Sequence, residues 1–217
     1  SVRVLVACEY SGTVRDAFAE AGFDAWSCDL LDSETPGNHY TGNALDIIND
    51  GWDLLIAHPP CTYISYAATK YWNDKGRVFK RLKALEFFAQ LMEADIPHIC
   101  IENPVGCADA VIRKPDQIIH PYYFGDAVSK ATCLWRKNLP ALKYAMSDNL
   151  FDSKTAVSPE WVIYNSKKSA SGKSKYSILG TKPTTGNNEE NRKFRSKTFP
   201  GVARAIAEQW TVALGCR

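Results

Sequence analysis

The chain of 217 residues contains no CxxC pair and no cysteine–histidine cluster at zinc-ligand spacing, and its seven cysteines recur at no regular interval. That pattern speaks against both a structural metal and a disulfide framework, and a reducing cytoplasm is the simplest setting for so many thiols. No apolar run approaches the ~20 residues a membrane helix needs, and no signal-peptide layout opens the chain. A soluble protein is therefore expected. GxGxxG is missing, which counts against an ordinary dinucleotide site, and Gly172-Lys173-Ser174 lacks the upstream glycine and strand of a phosphate loop. The net charge is only +2, so any affinity for nucleic acid must come from where the charges lie.

What is present is ordinary globular composition. Apolar residues make up 45% and charged residues 23%, enough for one domain with a substantial core. The chain is organised around Trp52 to Ser65, which starts as the apolar run Leu54 to Ala57, the pattern of a strand buried on both faces. Pro59 and Pro60 stop it, since neither can donate to a sheet ladder, and Cys61 follows at once. A free cysteine is most often a small buried hydrophobe. Cys8 and Cys100, inside apolar runs, fit that description; Cys61, between a Pro-Pro stop and Thr62-Tyr63-Ile64-Ser65, fits a nucleophile at the ligand-binding edge of a sheet.

Ahead of this stretch, Arg3 to Cys8 reads as a buried strand, Glu9 to Thr13 as a tight turn, and Val14 to Ala21 as a helix with Thr13 as N-cap and Gly22 at its end. Phe23 to Cys28 is a second strand, closed by Asp29. Strand, glycine turn, helix, strand and acid is the first half of a nucleotide-binding α/β unit, in which Asp29 either accepts from ribose hydroxyls or is a solvated strand end. A polar loop is expected over Asp32 to Asn43 and a helical turn over Ala44 to Asn49.

Beyond Cys61, the residues Tyr63, Tyr66, Lys70, Tyr71, Trp72, Lys75 and Arg77 interleave aromatic and cationic side chains, which suits base stacking and phosphate contact or an amphipathic surface loop equally. Val78 to Ala94 is a helix with Leu82, Leu85, Phe88, Ala89 and Met92 facing the sheet and Lys80, Arg81 and Lys83 solvated. His98 to Ile101 is a further buried strand ending in Glu102-Asn103-Pro104. If it neighbours the central strand, Glu102 and Cys61 overlook one crevice, and desolvation there raises the carboxyl pKa towards that of a proton donor. His120 to Gly125 and Ala131 to Trp135 read as short strands or a hairpin. Tyr164 to Lys197 holds nine Lys or Arg against two acids, either a solvated loop or a basic arm for nucleic acid. Pro200 to Leu214 is a helix with Val202, Ala205, Ile206 and Trp210 inward.

Together these motifs resemble the cytosine-C5 DNA methyltransferase family. Ser11-Gly12 resembles its first motif, Asp29 its ribose-binding acid, His58-Pro59-Pro60-Cys61 with Ser65 its Pro-Cys motif, Glu102-Asn103-Pro104 its Glu-Asn motif, and Pro200 to Ala207 its last motif. Lys130 to Trp135 is similar to short bacteriophage methylase-like proteins. The departures are a first motif without the usual Phe and extra glycines, Gly42-Asn43 where Gly-Asp is usual, and a stretch between Glu102 and the last helix too short for a full target-recognition domain.

The resemblance implies a Rossmann-like α/β fold with a mostly parallel central sheet, a small irregular basic insertion over 105–197, and a last helix over 198–217 that packs on the cofactor half. It implies S-adenosylmethionine as cofactor, held by Glu9, Tyr10, Ser11, Gly12, Thr13, Asp29, Leu30, Asn43, Ala44 and Pro59. Cys61 and Glu102 would be catalytic, with Arg192 and Arg195 nearest to the family's arginine motif. Pro60, Ser65, Asn103 and Lys130 would meet the substrate, and no metal is implied. The implied partner is DNA, duplex or single-stranded, or a pyrimidine nucleotide, with self-association left open. Two other readings are an enzyme of this fold acting on RNA, on a free nucleotide or with another transferred group, and a non-catalytic nucleic-acid-binding protein.

Overall fold

The computed structural model describes residues 1–66, 71–126, 130–144 and 197–215, together with the backbone of 162–168 and 174–177. Its elements run β1 (Arg3–Ala7), α1 (Thr13–Glu20), β2 (Asp24–Asp29), β3 (His39–Thr41), β4 (Leu54–Ala57), α2 (Arg77–Met92), β5 (His98–Pro104), α3 (Ala108–Val111), β6 (Gln117–Ile119), β7 (Thr132–Lys137), β8 (Val162–Lys168), β9 (Ser174–Ser177) and α4 (Pro200–Ala213). Seven strands form one sheet in the order β3-β2-β1-β4-β5-β7-β6, and β8 and β9 form a second, two-stranded sheet. Pairs from β3 through β5 are parallel, whereas β7 runs antiparallel to both β5 and β6.

The two central strands are apolar throughout because helices cover both faces. Val4 to Ala7 and Leu54 to Ala57 have no exposed surface at all. Alternate residues feed two cores. Leu5, Ala7, Leu55, Ala57, Ile99 and Ile101 pack with Leu85, Phe88 and Leu91 of α2, while Val4, Val6, Leu54 and Ile56 pack with Phe18 of α1 and with Val202, Ile206 and Trp210 of α4. Phe88 meets Trp135 edge to face at 5.0 Å. Each such buried side chain contributes roughly 1.5–3 kcal/mol.

Several details depart from the sequence expectation. Thr13 is not the N-cap of α1 but its first residue; Gly12 is the N-cap, and the capping oxygens come from Glu9. The end of α1 is as expected, with Gly22 donating to Ala19 and Phe23 to Phe18 as the chain turns into β2. The polar loop Asp32 to Asn43 hides the edge strand β3, whose three residues pair with Ser27 to Asp29. Helix α2 turns most of the expected stripe inward, with Leu82 the exception and Leu91 an addition. Leu85, Phe88 and Leu91 are buried while Leu82 is 57% exposed, because the first two turns of α2 face the loop after Cys61 rather than the sheet. Pro121–Phe124 is a 3-10 turn, not a strand; Ala131 to Trp135 does fall largely in β7, but β7 pairs with β6, which lies ahead of the expected partner His120 to Gly125. Among the described residues, no helix is long and apolar enough to cross a membrane.

Candidate active site

The strand order reverses direction between β1 and β4, and ligands of open α/β sheets bind outside the carboxyl ends of the strands at such a point. Register brings three strand ends to one level of that edge. Ala7 pairs with Ala57 and Ala57 with Ile101, so the next residues of the three strands, Cys8, His58 and Glu102, emerge at one level. Asp29 ends β2 one position further along the same edge.

The turn after β1 is built from the inside. Glu9 is buried, and its Oε1 and Oε2 accept the backbone N–H groups of Val14 and Arg15 at 2.8 and 3.1 Å, anchoring the amino end of α1 where negative charge is favoured. Burial pushes the Glu9 carboxyl pKa up, against the opposing charge of His58 and those two N–H groups. Gly12 has φ 76°, and a Cβ there would lie 2.3 Å from Thr35 Oγ1 and 2.5 Å from Arg15 Nη2. Only glycine fits. Beneath it the Arg15 side chain, 1% exposed, donates to Asp16, to the Ser27 and Ser33 hydroxyls, to both oxygens of Thr35 and to the Pro36 carbonyl. It holds the loop from Leu30 to Gly37 against the turn.

The rim of that loop has the chemistry an adenosyl group needs. Asp29 accepts from Leu31 through Oδ1 and keeps a second carboxylate oxygen, Leu30 beside it is 76% exposed, and Asn43 uses Oδ1 to cap the turn Ala44–Asp46. A carboxylate for ribose hydroxyls, an apolar plate for a purine ring and a glycine turn for close backbone approach fit S-adenosylmethionine. Asn43 offers only its amide nitrogen, and Ala44 is buried beneath. Tyr10 is half-buried, with Lys197 Nζ 6.0 Å from its ring centre.

Cys61 is half-exposed and begins a tight turn in which its carbonyl accepts from Ile64 and Ser65. Three sets of contacts fix the turn. Asn103, 3% exposed, donates through Nδ2 to the Pro59 carbonyl at 2.8 Å. Ser65 bridges Gly106, and Cys107 N donates to Ile64 O. From α2, Arg77 donates to the Thr62 carbonyl and Arg81 to those of Tyr63 and Trp72, with the Arg81 guanidinium 3.4 Å from the centre of the Trp72 ring. Arg81 is thus half-buried and engaged, not solvated as its position in the sequence suggested. Arg77 likewise lies over Tyr63, so part of the aromatic and basic stretch pairs with itself. Pro60, between Pro59 and Cys61, is exposed.

The close approach at Gly106 yields a first prediction. A Cβ there would sit 2.1 Å from the Ile64 carbonyl oxygen, so Gly106→Ala must push the turn away from β5. The rate of any reaction carried by the Cys61 turn is expected to fall by about 10²-fold, the scale of a 1 Å misplacement, with the sheet intact by circular dichroism. Unchanged kinetics would mean the turn is not held by this contact.

Glu102 differs from expectation in one respect. Burial alone pushes its pKa up, but the charges of His58 and Lys130 outweigh burial and hold the carboxyl below its ordinary value. The partner is His58, whose Nδ1 lies 3.3 Å from Glu102 Oε2 with both side chains largely buried. The contact is an ion pair more than a directed hydrogen bond, since Oε2 has no hydrogen-bond partner of good geometry. Sequence reasoning passed over His58 as part of the Pro-Pro-Cys motif; the available signal was a titratable residue directly after a fully buried strand. A small pocket beside Glu102 is lined by Lys130, Thr132, Lys197, Thr198 and Phe199, the last three leading into α4. Arg192, Arg195 and most of the basic stretch lie outside the described residues.

The strand order, with a single reversed strand second from the edge, is that of the Rossmann-like methyltransferase fold. No protein-family model matches the sequence, and neither does any curated protein. Among solved structures, the chain is similar to one described as a DNA modification methyltransferase encoded within an E. coli prophage, at 15% identity over 63% of this chain and 46% of that one, TM-score 0.40. It is similar to a variant of Spodoptera frugiperda DNMT2 at 19% identity over 74% and 58%, TM-score 0.42, and to an Entamoeba histolytica methyltransferase at 14% identity over 76% and 59%, TM-score 0.44. The chain therefore spans roughly half the length of these structures, between 46% and 59%.

Proposed function

We propose that the chain is an S-adenosylmethionine-dependent methyltransferase acting at C5 of cytosine in DNA. The observation that carries this reading is the pairing of a clamped, half-exposed Cys61 turn after β4 with Glu102 at the end of adjacent β5. Cytosine C5 is a poor nucleophile until C6 carries an adduct. In this reading the Cys61 thiolate adds to C6 and makes C5 enamine-like. Glu102 stays beside N3 and moves a proton to it, offsetting charge that develops in the ring. Bound against Asp29, Leu30 and the Ser11-Gly12 turn, S-adenosylmethionine supplies the electrophilic methyl group. Loss of the C5 proton then expels Cys61 as a thiolate. Asn103 fixes the Pro59 carbonyl and hence the direction from which the thiol approaches. In a duplex the base must be flipped out, at a cost of about a few kcal/mol, and Lys130 with the basic stretch through Arg192 and Arg195 is the source of phosphate contacts.

The test is covalent trapping. Duplex, single-stranded and nucleotide substrates carrying 5-fluorocytosine are incubated with cofactor and protein; the fluorine cannot leave as a proton does, so a C5 methyltransferase stalls as an adduct. A Cys61-dependent adduct on DNA is the expected result, and no adduct on any substrate removes the reading. Glu102→Gln is expected to slow the chemistry by roughly 10²–10⁴-fold in single-turnover assays, and a nearly unchanged rate would make that carboxylate structural. A second reading, the same chemistry on RNA or a free pyrimidine nucleotide, is favoured by the short stretch between β7, ending at Lys137, and α4, beginning at Pro200. Trapping on those substrates alone would select it, and tight, salt-sensitive binding of duplex DNA would count against it.

A further inference from the structure

We infer that His58 is a positioning residue for Glu102 and the store of the proton that Glu102 delivers to the base, an inference that rests on the cytosine reading above. The pairing follows from strand register. His58 is the first residue after β4 and Glu102 lies beside it on β5, because Ala57 pairs with Ile101. Nδ1 and Oε2 meet at 3.3 Å, the side chains being 10% and 14% exposed. Polar and charged groups act on the ring from several elements. Glu9, after β1, acts on His58 from the other side; Thr198 Oγ1, ahead of α4, lies 3.5 Å from Nε2; Lys130, ahead of β7, acts on both His58 and Glu102. Lys197 shares the pocket beside Glu102, and the Cys100 thiol on β5 is pushed well up by burial and stays neutral.

An imidazole between two carboxylates holds its proton. Burial pushes the His58 pKa down, yet the charges of Glu102 and Glu9 outweigh burial and the opposition of Lys130, leaving it above its ordinary value. Glu102 sits below its own. Both shifts favour imidazolium and carboxylate as the resting form of the pair. Glu102 then has no proton of its own to give, and the acidic hydrogen it faces is on His58 Nδ1. When Cys61 adds to C6, the 3.3 Å ion pair tightens into an aligned hydrogen bond, the Nδ1 proton passes to Glu102 Oε2 and the carboxyl group gives one proton to N3, leaving His58 neutral and Glu102 anionic. After a solvent base takes the C5 hydrogen and the C6–S bond breaks, N3 returns its proton through Glu102 to His58. One proton is stored and recovered per cycle, and the one released to solvent is the C5 hydrogen.

The test has two arms. In the first, imidazole resonances of the ligand-free protein are titrated by NMR, with His58 assigned by its loss in His58→Gln. His58 is expected to titrate above pH 6.5 in the wild type and to fall below it in Glu102→Gln, where burial prevails. Neutral His58 throughout, or a titration indifferent to Glu102→Gln, overturns the inference whether or not any substrate reacts. In the second, the rate of 5-fluorocytosine adduct formation is followed against pH. The wild type is expected to hold a plateau through neutral pH, while His58→Gln, which keeps a hydrogen-bond donor but no transferable proton, falls by ~10-fold per pH unit without a plateau. A His58→Gln profile matching the wild type would assign His58 an orienting role alone and overturn the proton store. Absence of adduct in the wild type, with the NMR result as expected, places the failure in the cytosine reading instead.

Discussion

Cys61→Ser is expected to lower methyl transfer by roughly four orders of magnitude or more, the scale on which removing a covalent nucleophile acts. A serine hydroxyl of nearly the same shape stays protonated at neutral pH, so attack on C6 loses its anion. The rest of the protein should barely notice. Cys61 is half-exposed, and what holds its turn is backbone carbonyls gripped by Asn103, Arg77 and Arg81, none of which the substitution touches. Stability should change by no more than about 0.5 kcal/mol. Cofactor affinity, measured by calorimetry, should be retained because Asp29, Leu30 and the Gly12 turn are unaltered. Activity within tenfold of the wild type would remove the covalent step while leaving the fold and the cofactor site standing.

Arg15→Ala should have the largest effect on folding. The guanidinium makes six hydrogen bonds to Asp16, Ser27, Ser33, Thr35 and Pro36 from a site 1% exposed. Removing it leaves the buried Ser27 hydroxyl and the partly exposed acceptors of Asp16, Ser33, Thr35 and Pro36 without their donor and empties the space beneath Gly12 and Gly37. A loss of about 3 kcal/mol is expected, from the lost charged hydrogen bonds and the emptied space, corresponding to roughly 10 °C in Tm for a chain of this size. Arg15→Lys should recover little, because one ammonium group cannot reach acceptors spread around a planar fork. Urea unfolding followed by circular dichroism measures both. A loss below about 1 kcal/mol for Arg15→Ala would mean that water replaces the arginine without cost.

The charge cluster at the sheet edge also sets a pH dependence. The lowered Glu102 pKa contributes stability that is present above 4.5 and lost as pH falls through the folded value. The raised His58 pKa contributes stability that is present below 6.5 and lost as pH rises through its folded value. The raised Glu9 pKa acts in the same sense as His58, favouring the fold below 4.5 and losing that contribution as pH rises. The Glu102–His58 pair is thus most stabilising between about 4.5 and 6.5.

Much of the architecture is written in local pattern. The apolar runs Val4 to Ala7 and Leu54 to Ala57 could only be doubly covered strands, the two prolines had to end the second, and Pro200 had to open the last helix. Cys61 and Glu102 could be singled out because each follows such a strand, where chemistry rather than packing decides the residue. What tertiary structure decided is what depends on neighbours remote in sequence. The edge strand β3 is only three residues long within a polar loop, and exists because Ser27 to Asp29 offer it a ladder. Leu82 is exposed and Arg81 engaged because the loop after Cys61, not the sheet, lies against the start of α2. The Glu102 pKa went down rather than up for the same reason. Burial is a property the sequence suggests, but the opposing charge of His58 arrives only when β4 and β5 pair in register, and over a few ångströms in a dry site that charge outweighs desolvation.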